Sequence, residues 1–170
     1  GVSMGGLAEI AHDLDYQVGG SDQATSHRTE RLRSLGITIH EQHHPQWIKD
    51  YQPDLVVYTS AIPADNSEIQ TARAMGIPCV ERAVFLGWLT RRYEHVVNIA
   101  GTHGKTTTTA MIAEILLFAK INPTVHLGAE FDAFGDSTVR LGEGHHPLPE
   151  SMKSLIPLLN LPMNFPQMEP

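Results

Sequence analysis

Gly101-Thr102-His103-Gly104-Lys105-Thr106-Thr107 is the stretch whose residue types and spacing could do chemistry. A glycine-bounded turn that delivers a lysine and a threonine to the start of a helix is a cradle for polyphosphate. Amides in the first helical turn lack intrahelical partners, and the helix dipole adds positive charge there. Lys105 would meet the β- and γ-phosphates of ATP and Thr106 would bind Mg²⁺ through its hydroxyl, with Gly101, Thr102, His103, Gly104 and Thr107 around the phosphates. The full pattern G-x-x-x-x-G-K-[ST] has a glycine where this chain has Ile99, so the loop is a shorter G-x-x-G-K-T variant.

Such a loop needs a strand before it and a helix after it. Val96, Val97, Ile99 and Ala100 form a β-prone run of the kind buried in a parallel sheet, and Met111, Ile112, Ile115 and Leu116 recur at helical spacing between Ala110 and Lys120. A second glycine cluster opens the chain. Against G-x-G-x-x-G it offers Gly1 and Gly6, with Ser3 at the middle position, then a helix with Leu7, Ile10, Ala11 and Leu14 on one face. A strand over Tyr16 to Gly20 leads to Ser21-Asp22, and an acidic residue about twenty positions after the glycines is where dinucleotide-type folds meet a ribose.

The βα pattern continues to residue 92. A helix over Thr25 to Leu35 stops at Gly36, and Ile37 to His40 is a strand. A short helix over Trp47 to Tyr51 precedes the strand Leu55 to Tyr58, and Asn66 caps a helix that runs to Met75 and Gly76. Residues 78–82 return as strand and 83–92 as helix. In open α/β sheets ligands sit beyond the carboxyl ends of the strands, which places Thr59, Ser60, Ala61 and Ile62 to hold one.

Composition narrows the function classes. The 170 residues are 41% hydrophobic and 18% charged, enough for one domain or one and a half. A net charge of −7 leaves no basic stripe for nucleic acid, no apolar run approaches a membrane span, and no signal-peptide pattern is present. The single Cys79 cannot form an internal disulfide, which fits a cytosolic chain, and in Ile77-Pro78-Cys79-Val80 it reads as a packed thiol rather than a nucleophile. His40, His43 and His44 lack a cysteine or carboxylate at ligand spacing and read as exposed histidines rather than a metal site.

The expected fold is α/β: a Rossmann-like unit over residues 1–92, then the start of a P-loop ATPase-type unit over 93–144, and a tail over 145–170. The tail holds Pro147, Pro149, Pro157, Pro162 and Pro166 and does not continue an α/β pattern.

The blocks Gly1 to Ile10, Gly20-Ser21-Asp22, Ser26 to Leu32, Thr59 to Ile62 and Gly101 to Thr109 together resemble the Mur ligase family, over roughly residues 1–144. The similarity is greatest to the branch that joins L-alanine to UDP-N-acetylmuramate. The resemblance accounts for Ile99, because these ligases use a short P-loop. It implies three domains, for the UDP-sugar, for ATP and for the amino acid, and a cytoplasmic role in peptidoglycan precursor synthesis. It also implies a reaction in which ATP phosphorylates the muramate carboxylate and the amine of L-alanine attacks the acyl phosphate. Carried over by position, Lys105 and Thr106 are the catalytic pair, with Thr106 on Mg²⁺. Gly5, Gly6, Ser21, Asp22, Thr59, Ser60, Ala61 and Ile62 line the UDP-sugar site, and His43 falls where the family places a histidine near the diphosphate.

The chain departs from the family in two places. The family begins with a central strand before the position of Gly1. After Gly144 it continues with an acidic segment that binds Mg²⁺, where this chain has His145-His146-Pro147-Leu148-Pro149-Glu150. Glu150, between proline and serine, is no substitute, and the tail has the character of a changed reading frame. Three readings stand: a ligase or a fragment of one, a non-catalytic remnant that binds nucleotide or UDP-sugar, and the related ligase that joins a peptide to UDP-muramate. For the polypeptide as written, binding without turnover is the favoured reading.

Overall fold

The computed structural model describes residues 2–63, 65–135 and 137–142. The expectations for the tail, including Glu150 and the acidic segment's replacement, lie outside the described residues.

The architecture is mixed α/β. Helix α1 (Val2–Asp13) leads to β1 (Gly19–Asp22), α2 (His27–Ser34) and β2 (Thr38–Glu41). Then come α3 (Pro45–Tyr51), β3 (Val56–Tyr58), α4 (Ser67–Ala74), β4 (Cys79–Glu81) and α5 (Arg82–Thr90). The second part holds α6 (Lys105–Phe118), β5 (Val125–Phe131), a 3-10 turn (Asp132–Phe134) and β6 (Ser137–Arg140). β1 pairs in parallel with β2 and β3 with β4, whereas β5 and β6 form an antiparallel hairpin. No helix among the described residues is long and apolar enough to cross a membrane.

Local chemistry explains the starts of α2, α3 and α4. Ser26 accepts a hydrogen bond from the Thr29 amide while the Thr29 hydroxyl accepts one from the Ser26 amide, which closes the start of α2. Pro45 opens α3, and the His44 ring accepts from the Gln46 amide. Asn66 Oδ1 accepts from the Glu68 and Ile69 amides at 3.0 and 3.2 Å, which caps α4.

Two apolar clusters hold the elements together. Leu7 and Ile10 of α1 and Leu14, just past its end, meet Leu89 of α5 and Val139 of β6, with Tyr16, Phe85 and Leu86 against them. Ala113 of α6 packs with Val125, Leu127 and Phe134. The first cluster joins residues on both sides of position 93, so the hairpin shares a core with α1. A half-buried ion pair reinforces this contact: Glu9, 5% exposed, accepts a bifurcated hydrogen bond from Arg31 Nε, 3.1 Å from each oxygen. Ser137 Oγ of β6 donates to the same carboxylate at 3.4 Å.

Four expectations need correction. The glycines at the chain start do not form a turn, because α1 begins at Val2 and includes Gly5 and Gly6. A Cβ on Gly6 would lie 2.7 Å from Thr138 Oγ1 and Val139 Cγ2 and 2.8 Å from His126 Cδ2, so the glycine is what lets the hairpin reach the helix. The strand expected over Tyr16 to Gly20 forms over 19–22, where Gly19 pairs with Thr38. Residues 96–100 are not a strand: a parallel strand is stabilised by its neighbours' ladders, no described residue pairs with this run, and Val97 is 71% exposed. Finally, β6 forms between Gly135 and Gly142, a stretch for which the sequence offers no strand pattern.

Candidate functional site

The first locus lies at the carboxyl ends of β1 and β2. Ser21 is the third residue of β1, and Asp22 closes the strand, its Oδ1 accepting from the Ala24 amide at 3.3 Å. Beyond β2 the Gln42 amide donates to the Asp22 carbonyl at 2.9 Å, and Gln42 adopts a left-handed φ of 67°. That turn sends His43 toward Ser21, and their Oγ and Nδ1 atoms are 2.8 Å apart. Glu68, in the first turn of α4, completes the group: Ser21 Oγ donates to its Oε2 at 2.7 Å, and His43 Nδ1 lies 3.1 Å from the same oxygen. Its other oxygen accepts from the His44 amide at 3.2 Å.

The other residues expected here are placed as follows. Thr59 to Ile62 leave the end of β3 in a turn closed by the Ile62 amide donating to the Thr59 carbonyl at 3.0 Å. Gly5 and Gly6 sit inside α1, and Gly6 is covered by the hairpin. His43 is not exposed as expected, since 15% of its side chain remains accessible. His40 stacks on Trp47 with ring centroids 3.8 Å apart, and His44 caps α3. Glu68 escaped the sequence reading because an acidic residue in a first helical turn is the ordinary complement of the helix dipole.

The second locus is the glycine turn before α6. Gly104 is the N-cap of α6 with a left-handed φ of 76° and offers no side-chain cap, so the first amides of the helix have no capping oxygen. Gly101 also lies at positive φ, 152°. Lys105 begins the helix, and its ammonium donates to the carbonyls of Gly101 and Thr102. Thr102, His103, Thr106 and Thr107 are exposed around it. Thr106 Oγ1 would lie 3.9 Å from a Cβ on Gly128, so the threonine faces β5. Uncapped amides, a cation and an accessible hydroxyl on one helix end fit a nucleotide polyphosphate with its metal. Among the described residues no group of three His, Cys, Asp or Glu side chains is placed to hold a metal ion.

The family model described as Mur ligase family, catalytic domain, matches residues 1–94. The UDP-N-acetylmuramate–L-alanine ligase of Acetivibrio thermocellus is 45% identical over 151 residues, covering 89% of this chain and 32% of that protein. The enzyme of the same name from Paramagnetospirillum magneticum is 42% identical over 162 residues, covering 95% of this chain and 33% of that protein. Among solved structures, the UDP-N-acetylmuramate-alanine ligase of Thermotoga maritima aligns with a TM-score of 0.77 at 36% identity, over 85% of this chain and 34% of that one. A murein peptide ligase from Psychrobacter arcticus aligns with a TM-score of 0.77 at 30% identity, over 89% of this chain and 33% of that one. The chain thus spans about a third of the length of the curated relatives it matches. With the family model spanning more than half of its residues, and with an α/β structure that aligns to ligases of this type, the chain belongs to the Mur ligase family.

Proposed function

We propose that this chain provides the UDP-sugar-binding unit and the start of the ATP-binding unit of a cytoplasmic ligase that joins L-alanine to UDP-N-acetylmuramate. In this reading residues 1–92 are the Rossmann-like unit, 93–144 begin the P-loop unit, and 145–170 belong to neither. The observation that carries it is the uncapped start of α6, with Lys105 and Thr106 beside two glycines at positive φ. The relatives' names and the hydrogen-bonded cluster at Ser21 and His43 support the sugar-nucleotide half.

When bound, Mg·ATP supplies the phosphoryl group that activates the muramate carboxylate toward an amine. The chain's own residues position and neutralise charge. The first amides of α6 would hold phosphate oxygens, Lys105, now on two loop carbonyls, would turn its ammonium to a phosphate, and the Thr106 hydroxyl would serve the metal. Ser21, Asp22, His43 and Thr59 to Ile62 bind the UDP-sugar. No covalent nucleophile is needed, and Cys79 is unsuited to that role: burial pushes its thiol up, against a smaller lowering by Arg73, and Sγ donates to the Ile77 carbonyl at 3.5 Å.

A second reading, binding without turnover, is favoured for this polypeptide by residues 96–100, which lead into the P-loop and have no ladder partner among the described residues. The likeness to a murein peptide ligase keeps a peptide open as the joined group. Calorimetry with Mg·ATP tests the common core of these readings. We expect micromolar binding, weakened at least roughly tenfold by Lys105→Ala, the loss of one charge-assisted contact. Binding that survives Lys105→Ala unchanged would refute the P-loop assignment, and release of phosphate with UDP-N-acetylmuramate and L-alanine would overturn the second reading.

A further inference from the structure

Glu68 is a mostly buried carboxylate that the reaction described above does not use, and three donors from two other segments converge on it. An ionised carboxylate can only accept. The Ser21 hydroxyl therefore spends its one proton on Oε2, 2.7 Å away, and is left with lone pairs toward His43 Nδ1 at 2.8 Å. Both groups facing Nδ1, the Ser21 oxygen and Oε2 at 3.1 Å, are then acceptors, so Nδ1 must carry hydrogen. The remaining oxygen, Oε1, holds the His44 amide and with it the loop that bears the histidine. The side chains of His43 and Glu68 are 15% and 12% exposed, so water competes little for these bonds.

We propose that Glu68 is a positioning residue for the diphosphate of a nucleotide-sugar bound at the carboxyl ends of β1 and β2. It fixes the His43 ring with Nδ1–H inward and the Ser21 hydroxyl in one rotamer, and it leaves Nε2 as the ring nitrogen offered to the ligand. This rests on the UDP-sugar reading of the site. With Nδ1–H committed to the carboxylate side, any proton shared with a phosphate oxygen of the ligand lies on Nε2, and Glu68 stands behind the ring to balance the charge. One carboxylate thereby aligns a residue at the end of β1 with one that follows β2, although neither belongs to its own helix.

The test is Glu68→Gln in the full chain, read by two measurements. The glutamine keeps the volume, but its NH₂ must face one of the three donors. Long-range ¹H–¹⁵N spectra of His43 should show the Nδ1–H tautomer in the parent chain and a mixture in the variant. Calorimetry with UDP should show affinity reduced roughly tenfold, with the far-UV spectrum unchanged. Ser21→Ala is the second variant. It should weaken UDP binding and keep the Nδ1–H tautomer through the direct contact with Oε2. A tautomer unaltered by Glu68→Gln, with UDP still bound by the parent, overturns the positioning role and leaves the sugar-nucleotide site standing. Loss of the tautomer in Ser21→Ala would show that the hydroxyl, not the carboxylate, sets the ring, and overturns the role as well. A parent chain that fails to bind UDP overturns the site reading itself and the proposal with it.

Discussion

Helices α1 and α6 are both rich in apolar residues, yet they are buried to very different degrees. α1 hides Leu7, Ile10 and Ala11, with Leu14 buried just past its end, and Leu7 is 1% exposed. α6 buries the small Ala110 and Ala113 and leaves Met111, Ile115 and Phe118 outward, Phe118 at 93%. The difference lies in what is there to cover each helix. A three-way contact of α5, β6 and Glu9's ion pair closes over α1, whereas α6 meets the hairpin along one side only. Amphipathic spacing therefore identified helices, and the tertiary neighbours decided which residues became core.

Substitutions on the two helices should separate accordingly. Gly6→Val should be the most damaging, by about 2–3 kcal/mol or more in denaturant titration, because its side chain meets Thr138, Val139 and His126 with no space between. Glu9→Ala should cost about 1–3 kcal/mol by leaving the Ser137 hydroxyl and a partly covered Arg31 without their acceptor, and a neutral result would show that the hairpin stands off α1 in solution.

His126 offers a pH-dependent version of the same contact. Burial holds its imidazole below the usual value; the bond to the Ser3 carbonyl opposes this, and Arg82 adds to the lowering. The folded state therefore binds the proton less readily than the unfolded chain. Stability is complete above the unfolded pKa near 6.5 and falls as pH drops through that value toward the folded one. His126→Asn should flatten the stability profile over that window, measured by urea midpoints at several pH values. Phe118→Ser on the open face of α6 should change stability least, within about 0.5 kcal/mol, and a larger loss would mean that this face is covered in solution.

What could be read in advance was local. Asn66 as a cap, and Gly36 and Gly76 as helix stops at positive φ, depend on a few adjacent residues and appear where the sequence placed them. The Lys105 turn belongs to the same class. β6 was invisible because Ser137-Thr138-Val139-Arg140 lacks alternation, and it is buried by a helix more than a hundred residues earlier in the chain. The run at 96–100 failed for the opposite reason: its residues suit a strand, but a strand also needs a partner. Glu68 combines both lessons, since its contacts with Ser21 and His43 exist only after three segments have met.

The fold of Lys105 back onto its own turn has a consequence for how a nucleotide would be received. The ammonium holds the carbonyls of Gly101 and Thr102, so the curl is braced from within before any phosphate arrives. In the proposed reading, ligand arrival would then be an exchange of partners for a cation already in place. The backbone would surrender little conformational entropy at that step, because its unusual dihedrals are set in advance. Under the proposed nucleotide reading, the lysine would thus stand in for a ligand and would keep the turn from relaxing between one occupant and the next.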